Sequence, residues 1–180
     1  RYFLKAIDKD KIRDLIVMYG IIMDEHDFEG IERIFTKDAS LTSADGVFSA
    51  SGIEAIKSTY QDRFAVLGAT NHVTHGNVVR FSDDDPDQAS GLVTSHAEVS
   101  REGTALIAAL RYKDKYQRTS MGWQIRGREM SFMYYVSFDE FKDAIVGDER
   151  ITVYGDRRLA DWPERLNTGT SPKWIKEYIS

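Results

Sequence analysis

Four runs in the middle of the chain place apolar side chains at every second position: His72–Phe81, Ala89–Arg101, Thr104–Arg118 and Gly122–Phe132. Period two is the mark of β-strands. The segments between them, Ser82–Asp87, Glu102-Gly103 and Thr119–Met121, are too short for anything but hairpin connections. A meander of this kind cannot bury its own apolar face, so another layer must cover it.

The preceding residues supply that layer. Ile12, Leu15, Ile16, Tyr19, Ile22 and Met23 recur at helical spacing and predict one amphipathic helix over residues 9–26, with Asp8 or Asp10 as its cap. A shorter helix is expected over 28–35, then a short strand at Asp38–Thr42 and a turn at Ala44-Asp45-Gly46. Ser51-Gly52-Ile53-Glu54 reads as a capping box, opening a third helix that turns Ile53, Ile56, Tyr60 and Phe64 inward. Phe138–Ile145 reads as a last short helix, and the remainder through Trp162-Pro163 to Trp174 as irregular. The expected fold is therefore α+β: a curved antiparallel sheet with helices packed on its concave face around a ligand pocket. Residues 1–146 form the domain. Residues 147–180 are an extension expected to pack on it or on a neighbouring subunit.

Composition narrows the chemistry. The chain has no cysteine, so disulfides, thiolate nucleophiles and Cys-ligated zinc are excluded. Net charge is −5 with no basic cluster, which argues against nucleic-acid binding. Asp24 interrupts the longest apolar run, so no membrane span is expected, and Arg1–Asp10 lacks the pattern of a leader peptide. The cytoplasm is the expected location. Asp83-Asp84-Asp85 reads as a solvated turn rather than a metal site.

Asp24 stands near the C-terminal end of the long helix, where the helix dipole disfavours a carboxylate. That placement suggests an acid retained to orient or deprotonate a partner in the cavity. Thr70-Asn71-His72-Val73-Thr74-His75 places two histidines on opposite strand faces, so one of them should face the pocket. An imidazole beside a carboxylate is a general base with a fixed tautomer. His26 and His96 are dispersed, without the close spacing of a zinc site, and no metal is expected. Alternation places Arg126 and Arg128 on one face of the last strand with Met130 and Phe132, where an arginine would stabilise an anion. Tyr112, Tyr116, Tyr134 and Tyr135 add phenols.

Tyr19-x4-Asp24-x2-Asp27, Phe35-x2-Asp38-Ala39-x-Leu41, Gly52-x3-Ile56, Thr70-x-His72 and Tyr116-x6-Trp123, in that order, resemble the SnoaL-like branch of the NTF2 superfamily over Ile12 to Phe138. Within it the sequence looks closest to lyases of the scytalone dehydratase, γ-hexachlorocyclohexane dehydrochlorinase and bile-acid dehydratase types. That resemblance implies a metal-free, cofactor-independent elimination. His72 would be the base, Asp24 its orienting carboxylate, and Arg128 with Tyr19 would stabilise the anion or leaving group. The second histidine of scytalone dehydratase falls near Val93 and has no counterpart here. The dehydrochlorinase spacing points to Val73, so His75 stays as an alternative base. Met23, His75, Tyr112, Tyr116, Met130, Phe132 and Tyr134 are the expected substrate contacts, and the substrate a small hydrophobic organic molecule. Relatives of this kind also cleave diarylpropanes, isomerise ketosteroids, cyclise polyketides or bind without catalysis. An isomerase using Asp24 alone, or a silent binding domain, are the competing expectations. Strand Thr104–Arg118 is apolar on both faces, and the resemblance implies dimers or trimers. A homodimer or homotrimer is therefore expected, associating through the outer sheet face and the tail.

Overall fold

The apolar stripe of the first helix is the seam on which the molecule closes. In the computed structural model, which describes residues 2–179, helix α1 spans Tyr2–Asp24 and buries Ile12, Ile16, Tyr19 and Met23 against the sheet. It starts well before the expected caps. Asp8 is therefore inside the helix, and its carboxylate takes two hydrogen bonds from Arg118 (2.8 and 2.7 Å) and one from the Trp123 indole (3.2 Å). The Arg118 guanidinium holds the Asp8 carboxyl below the usual carboxylate range. An ion pair to the closed end of the sheet thus replaces the expected cap.

Next come α2 (Ile31–Ile34), β1 (Phe35–Ser43), β2 (Ser49–Ser51) and α3 (Ile53–Val66). Ser51 lies in β2 and does not cap α3. The N-cap is Gly52 at φ 84°, a left-handed conformation that a residue with a Cβ adopts only with strain. The meander follows as β3 (Leu67–Phe81), β4 (Gln88–Arg101), β5 (Thr104–Thr119) and β6 (Gly122–Ser137). The Glu102-Gly103 hairpin has positive φ at both turn residues (49° and 79°), the geometry whose twist matches paired strands.

The sheet has six strands in the order β2-β1-β6-β5-β4-β3, and β1 runs parallel to β6. It is the mixed, curved, open sheet of the NTF2-like fold. Register slips where β6 meets both neighbours, between Phe35 and Ser40 on β1 and between Lys115 and Tyr116 on β5. This bulge inverts the alternation, with Ile125 and Arg128 inward and Arg126 outward, exposed beside Asp38 at 3.8 Å. Arg126 and Arg128 therefore do not share a face, contrary to simple counting.

The C-terminal residues are organised by an unpaired edge. Pairing of β1 with β6 ends at Ser43 and Met130, which leaves the rest of β6 open. The chain returns there after α4 (Phe138–Ala144). Tyr135 bonds Arg150, Thr152 and Val153 through the backbone, and Phe132 exchanges hydrogen bonds with Asp161. Arg150, 2% exposed, staples this return by donating to the carbonyls of Met133, Gly147 and Trp162. Beyond it lie α5 (Glu164–Thr168) and a 3₁₀ turn (Lys173–Tyr178), where irregular chain was expected. Trp162 and Trp174 sit under Arg111 and Lys113 on the outer face of β5. Ala109, also on that face, is covered from the same chain: its neighbour Tyr134 packs edge-on against Phe141 of α4. The molecule itself thus supplies part of the cover expected from a partner.

Burial raises the Asp161 carboxyl to about 6, against the opposing backbone hydrogen bond from Phe132. A carboxyl with a raised folded pKa binds its proton more tightly in the folded state. Its contribution is therefore fully present below the unfolded value of 3.8 and is lost as pH rises through about 6. Asp161→Asn is expected to flatten the stability-versus-pH curve across that interval, measured as urea midpoints from pH 4 to 7. An unchanged slope would refute the assignment.

Candidate active site

Asp24 ends α1, where an unpaired carboxylate would be disfavoured. Three donors from β3 compensate. The Thr70 hydroxyl donates to Oδ1 at 2.8 Å, the His72 backbone N–H to Oδ2 at 2.9 Å, and His72 Nδ1 to Oδ1 at 2.6 Å. Thr70 and His72 are two residues apart on a strand, so both side chains face the helix. Gly20 permits the close approach: a Cβ there would lie 3.3 Å from the His72 Cβ.

A carboxylate only accepts hydrogen bonds, so in the neutral imidazole Nδ1 carries the proton and Nε2 the lone pair. Nε2 makes no hydrogen bond among the described residues. His72 lines a cavity of about 340 Å³ between α1, α3 and the concave sheet face. Asp24 stands behind the imidazole and does not itself line the cavity. The walls are largely apolar, with Met23, Ala97, Val99, Leu110, Met130 and Phe132 among them.

In the same wall, the hydroxyls of Tyr19 and Tyr60 lie 2.7 Å apart. Burial raises the Tyr60 hydroxyl well above its ordinary pKa, and that of Tyr112 likewise, so both stay protonated and can donate. Arg128 is not in the wall. It is 1% exposed, sandwiched between the rings of Tyr19 (4.2 Å) and Tyr112 (4.1 Å), and paired with Asp114 through two hydrogen bonds of 2.8 and 2.6 Å. Burial works against its charge, but the Asp114 carboxylate overrides this and keeps the guanidinium ionised. Tyr116 also donates to Asp114, at 2.7 Å.

The structure therefore brings Tyr19, Met23, His72, Tyr112, Met130 and Phe132 to one cavity, with Asp24 and Arg128 directly behind it. It separates three expected contacts. His75 is exposed and meets His96, which in turn packs near Tyr134, all away from the cavity. Tyr116 lies deeper, against Asp114. Alternation carries His72 inward and His75 outward, so the two histidines cannot share a site. Tyr135, one of the four phenols named from the sequence, is in the wall, whereas sequence reasoning did not assign Tyr60, Arg63, Arg101 or Tyr154 to the site. Only Tyr60 carried a signal, as an inward residue of α3. Among the described residues, no three His, Cys, Asp or Glu side chains converge as a metal site would require. Nor, among these residues, is any helix long and apolar enough to cross a membrane.

The SnoaL-like domain model matches residues 5–129, well over half of the chain. The chain belongs to the SnoaL-like family. No curated protein matches it in sequence. Among solved structures, this SnoaL-like chain is similar to a Novosphingobium aromaticivorans protein named after scytalone dehydratase (18% identity, TM-score 0.70, covering 77% of this chain and 92% of that one). It is also similar to a hexachlorocyclohexane dehydrochlorinase of Novosphingobium barchaimii (16%, 0.66, 77% and 94%). An NTF2-like protein of Salmonella enterica aligns with 15% identity and a TM-score of 0.64, over 71% and 92% of the two chains. At these identities the likeness establishes the fold.

Proposed function

We propose that the protein is a lyase that eliminates a leaving group from a small hydrophobic, aromatic or alicyclic molecule. One observation carries this reading: His72, with Nδ1 bound to Asp24, presents a free Nε2 lone pair to an apolar cavity. In the step proposed, Nε2 takes a proton from carbon and the C–H pair becomes the new double bond. The leaving group departs from the neighbouring carbon, and the Tyr19–Tyr60 hydroxyls donate to it or to an adjoining oxyanion. Asp24 offsets the imidazolium charge, and Arg128 biases the cavity toward developing negative charge through the two rings it contacts. No metal or organic cofactor is called for, since the base is a side chain. The dehydratase and dehydrochlorinase among the similar structures suit this reading. An isomerase with Asp24 as base is disfavoured because three donors already occupy that carboxylate and the imidazole shields it from the cavity.

The test is a panel of cyclic β-hydroxy and β-chloro compounds with acidic C–H bonds, offered to EDTA-treated protein in D₂O. Expected are alkene formation followed by ultraviolet absorbance and deuterium exchange at the acidic carbon, both undiminished by chelation. Neither reaction with any compound, or activity that returns only with a divalent ion, would overturn the proposal.

A further inference from the structure

The cavity is apolar in its depth but not at its entrance. Its exposed lining residues are Val47, Asp62 and Tyr154, which mark the open end. Two half-buried arginines stand in the same wall, Arg63 from the last turn of α3 and Arg101 from the end of β4. Neither forms an ion pair among the described residues, and neither guanidinium donates a hydrogen bond to a carboxylate there. In this they differ from Arg118 and Arg128, each locked to acids. Arg63 lies over the rings of Phe48 (4.5 Å) and Tyr60 (5.1 Å), contacts that hold the guanidinium in place without engaging a carboxylate. Both cations oppose the upward push of burial on the Tyr135 and Tyr154 hydroxyls, Asp45 acting the other way on Tyr154, and all four side chains line the one cavity.

Resting on the lyase reading of this cavity, we infer that the substrate carries an anionic group, a carboxylate or a chemically similar oxyanion, seated at the mouth between Arg63 and Arg101 while its ring body fills the apolar interior. Two partly desolvated guanidinium forks that meet no carboxylate suit a planar oxyanion and gain nothing from a neutral hydrocarbon. The sole carboxylate in the cavity wall, Asp62, is exposed and pairs with neither arginine. The chain as a whole carries −5 and repels anions, so attraction has to come from this local pair. The arrangement also sets polarity: the charged end is held at the mouth, and the reacting carbon reaches inward to His72.

The probes are anilinonaphthalene sulfonate and N-phenylnaphthylamine, two fluorescent molecules with the same ring body that differ by the sulfonate. The wild-type protein is expected to bind the sulfonate at least about tenfold more tightly than the neutral probe, since charge-assisted hydrogen bonds outweigh neutral contacts. In Arg63→Gln/Arg101→Gln the preference should vanish while the neutral probe keeps its affinity, which also reports an intact cavity. His72→Ala should retain the preference, because the measurement reads binding; failure of the elimination and failure of the anion site are thus told apart. Equal binding of the two probes by wild-type protein overturns the inference, as does a preference that survives in the double variant. If the double variant does not fold, each single variant decides in the same way: a fall in the preference supports the anion site, and an unchanged preference overturns it.

Discussion

His72→Ala is expected to lower kcat by about 10²–10⁴-fold with a modest change in KM, the usual worth of general-base catalysis. Asp24→Asn should cost a comparable factor. An amide in place of the carboxylate can donate to Nδ1, which favours the tautomer protonated on Nε2, and it cannot offset an imidazolium. The two residues act as one unit through the 2.6 Å hydrogen bond, so the double variant should be little worse than the worse single one. His75→Ala is the control, since that ring faces away from the cavity, and it should stay within about twofold of wild type, the range of a substitution that touches neither substrate nor its neighbours. Steady-state kinetics on a substrate from the panel decide the matter. Full activity in His72→Ala would remove the imidazole from the mechanism. Loss in Asp24→Asn alone would transfer the base to the carboxylate.

The largest loss of stability is expected at Asp114. Its carboxylate holds both the Arg128 guanidinium and the Tyr116 hydroxyl, with both members of the ion pair fully buried. Asp114→Ala strands a positive charge that already has one unpartnered nitrogen, Nη1. Breaking a buried pair in this way costs about 3–5 kcal/mol, and for a domain of this size each kcal/mol lowers Tm by roughly 2–4 °C. Arg128→Met should be destabilising too. The double variant Asp114→Leu/Arg128→Met should recover much of the loss, because apolar groups can replace a buried pair of similar volume. Urea denaturation of the four proteins gives the coupling. Additive losses, or a change below about 1 kcal/mol in Asp114→Ala, would mean that water reaches the pair.

How far the sequence reveals these features depends on how local their causes are. The four-strand meander is legible because period two and short polar turns are properties of neighbouring residues. So is the inner face of α1, where Ile12, Ile16, Tyr19 and Met23 keep helical spacing. Asp24 and His72 are legible as candidates through the resemblance, but their contact depends on the seating of α1 against β3, which Gly20 allows and no local rule states. Arg126 and Arg128 defeat counting because a bulge between them inverts the alternation. Asp114 shares a strand face with Tyr112 and Tyr116, and an acid on that otherwise uncharged face is a signal that sequence reasoning passed over. Arg63 and Arg101 come from the ends of elements more than thirty residues apart. Nothing near either one shows that both line the same cavity.

The parallel pairing of β1 with β6 has a kinetic meaning. Phe35 pairs with Ile125, so 90 residues (125 − 35) separate the partners, and β3, β4 and β5 lie between them. Hairpins close within microseconds, whereas a contact across so long a loop must wait for them. During synthesis β1 emerges long before its parallel partner, and the edge that pairs with β6 stays open until β6 has left the ribosome. For β1 the order of pairing therefore runs against the order of translation: the hairpins close first, and a strand made ahead of them joins its partner only afterwards. The waiting strand and the open edge of β6 make this interval the one in which the chain is most prone to aggregate.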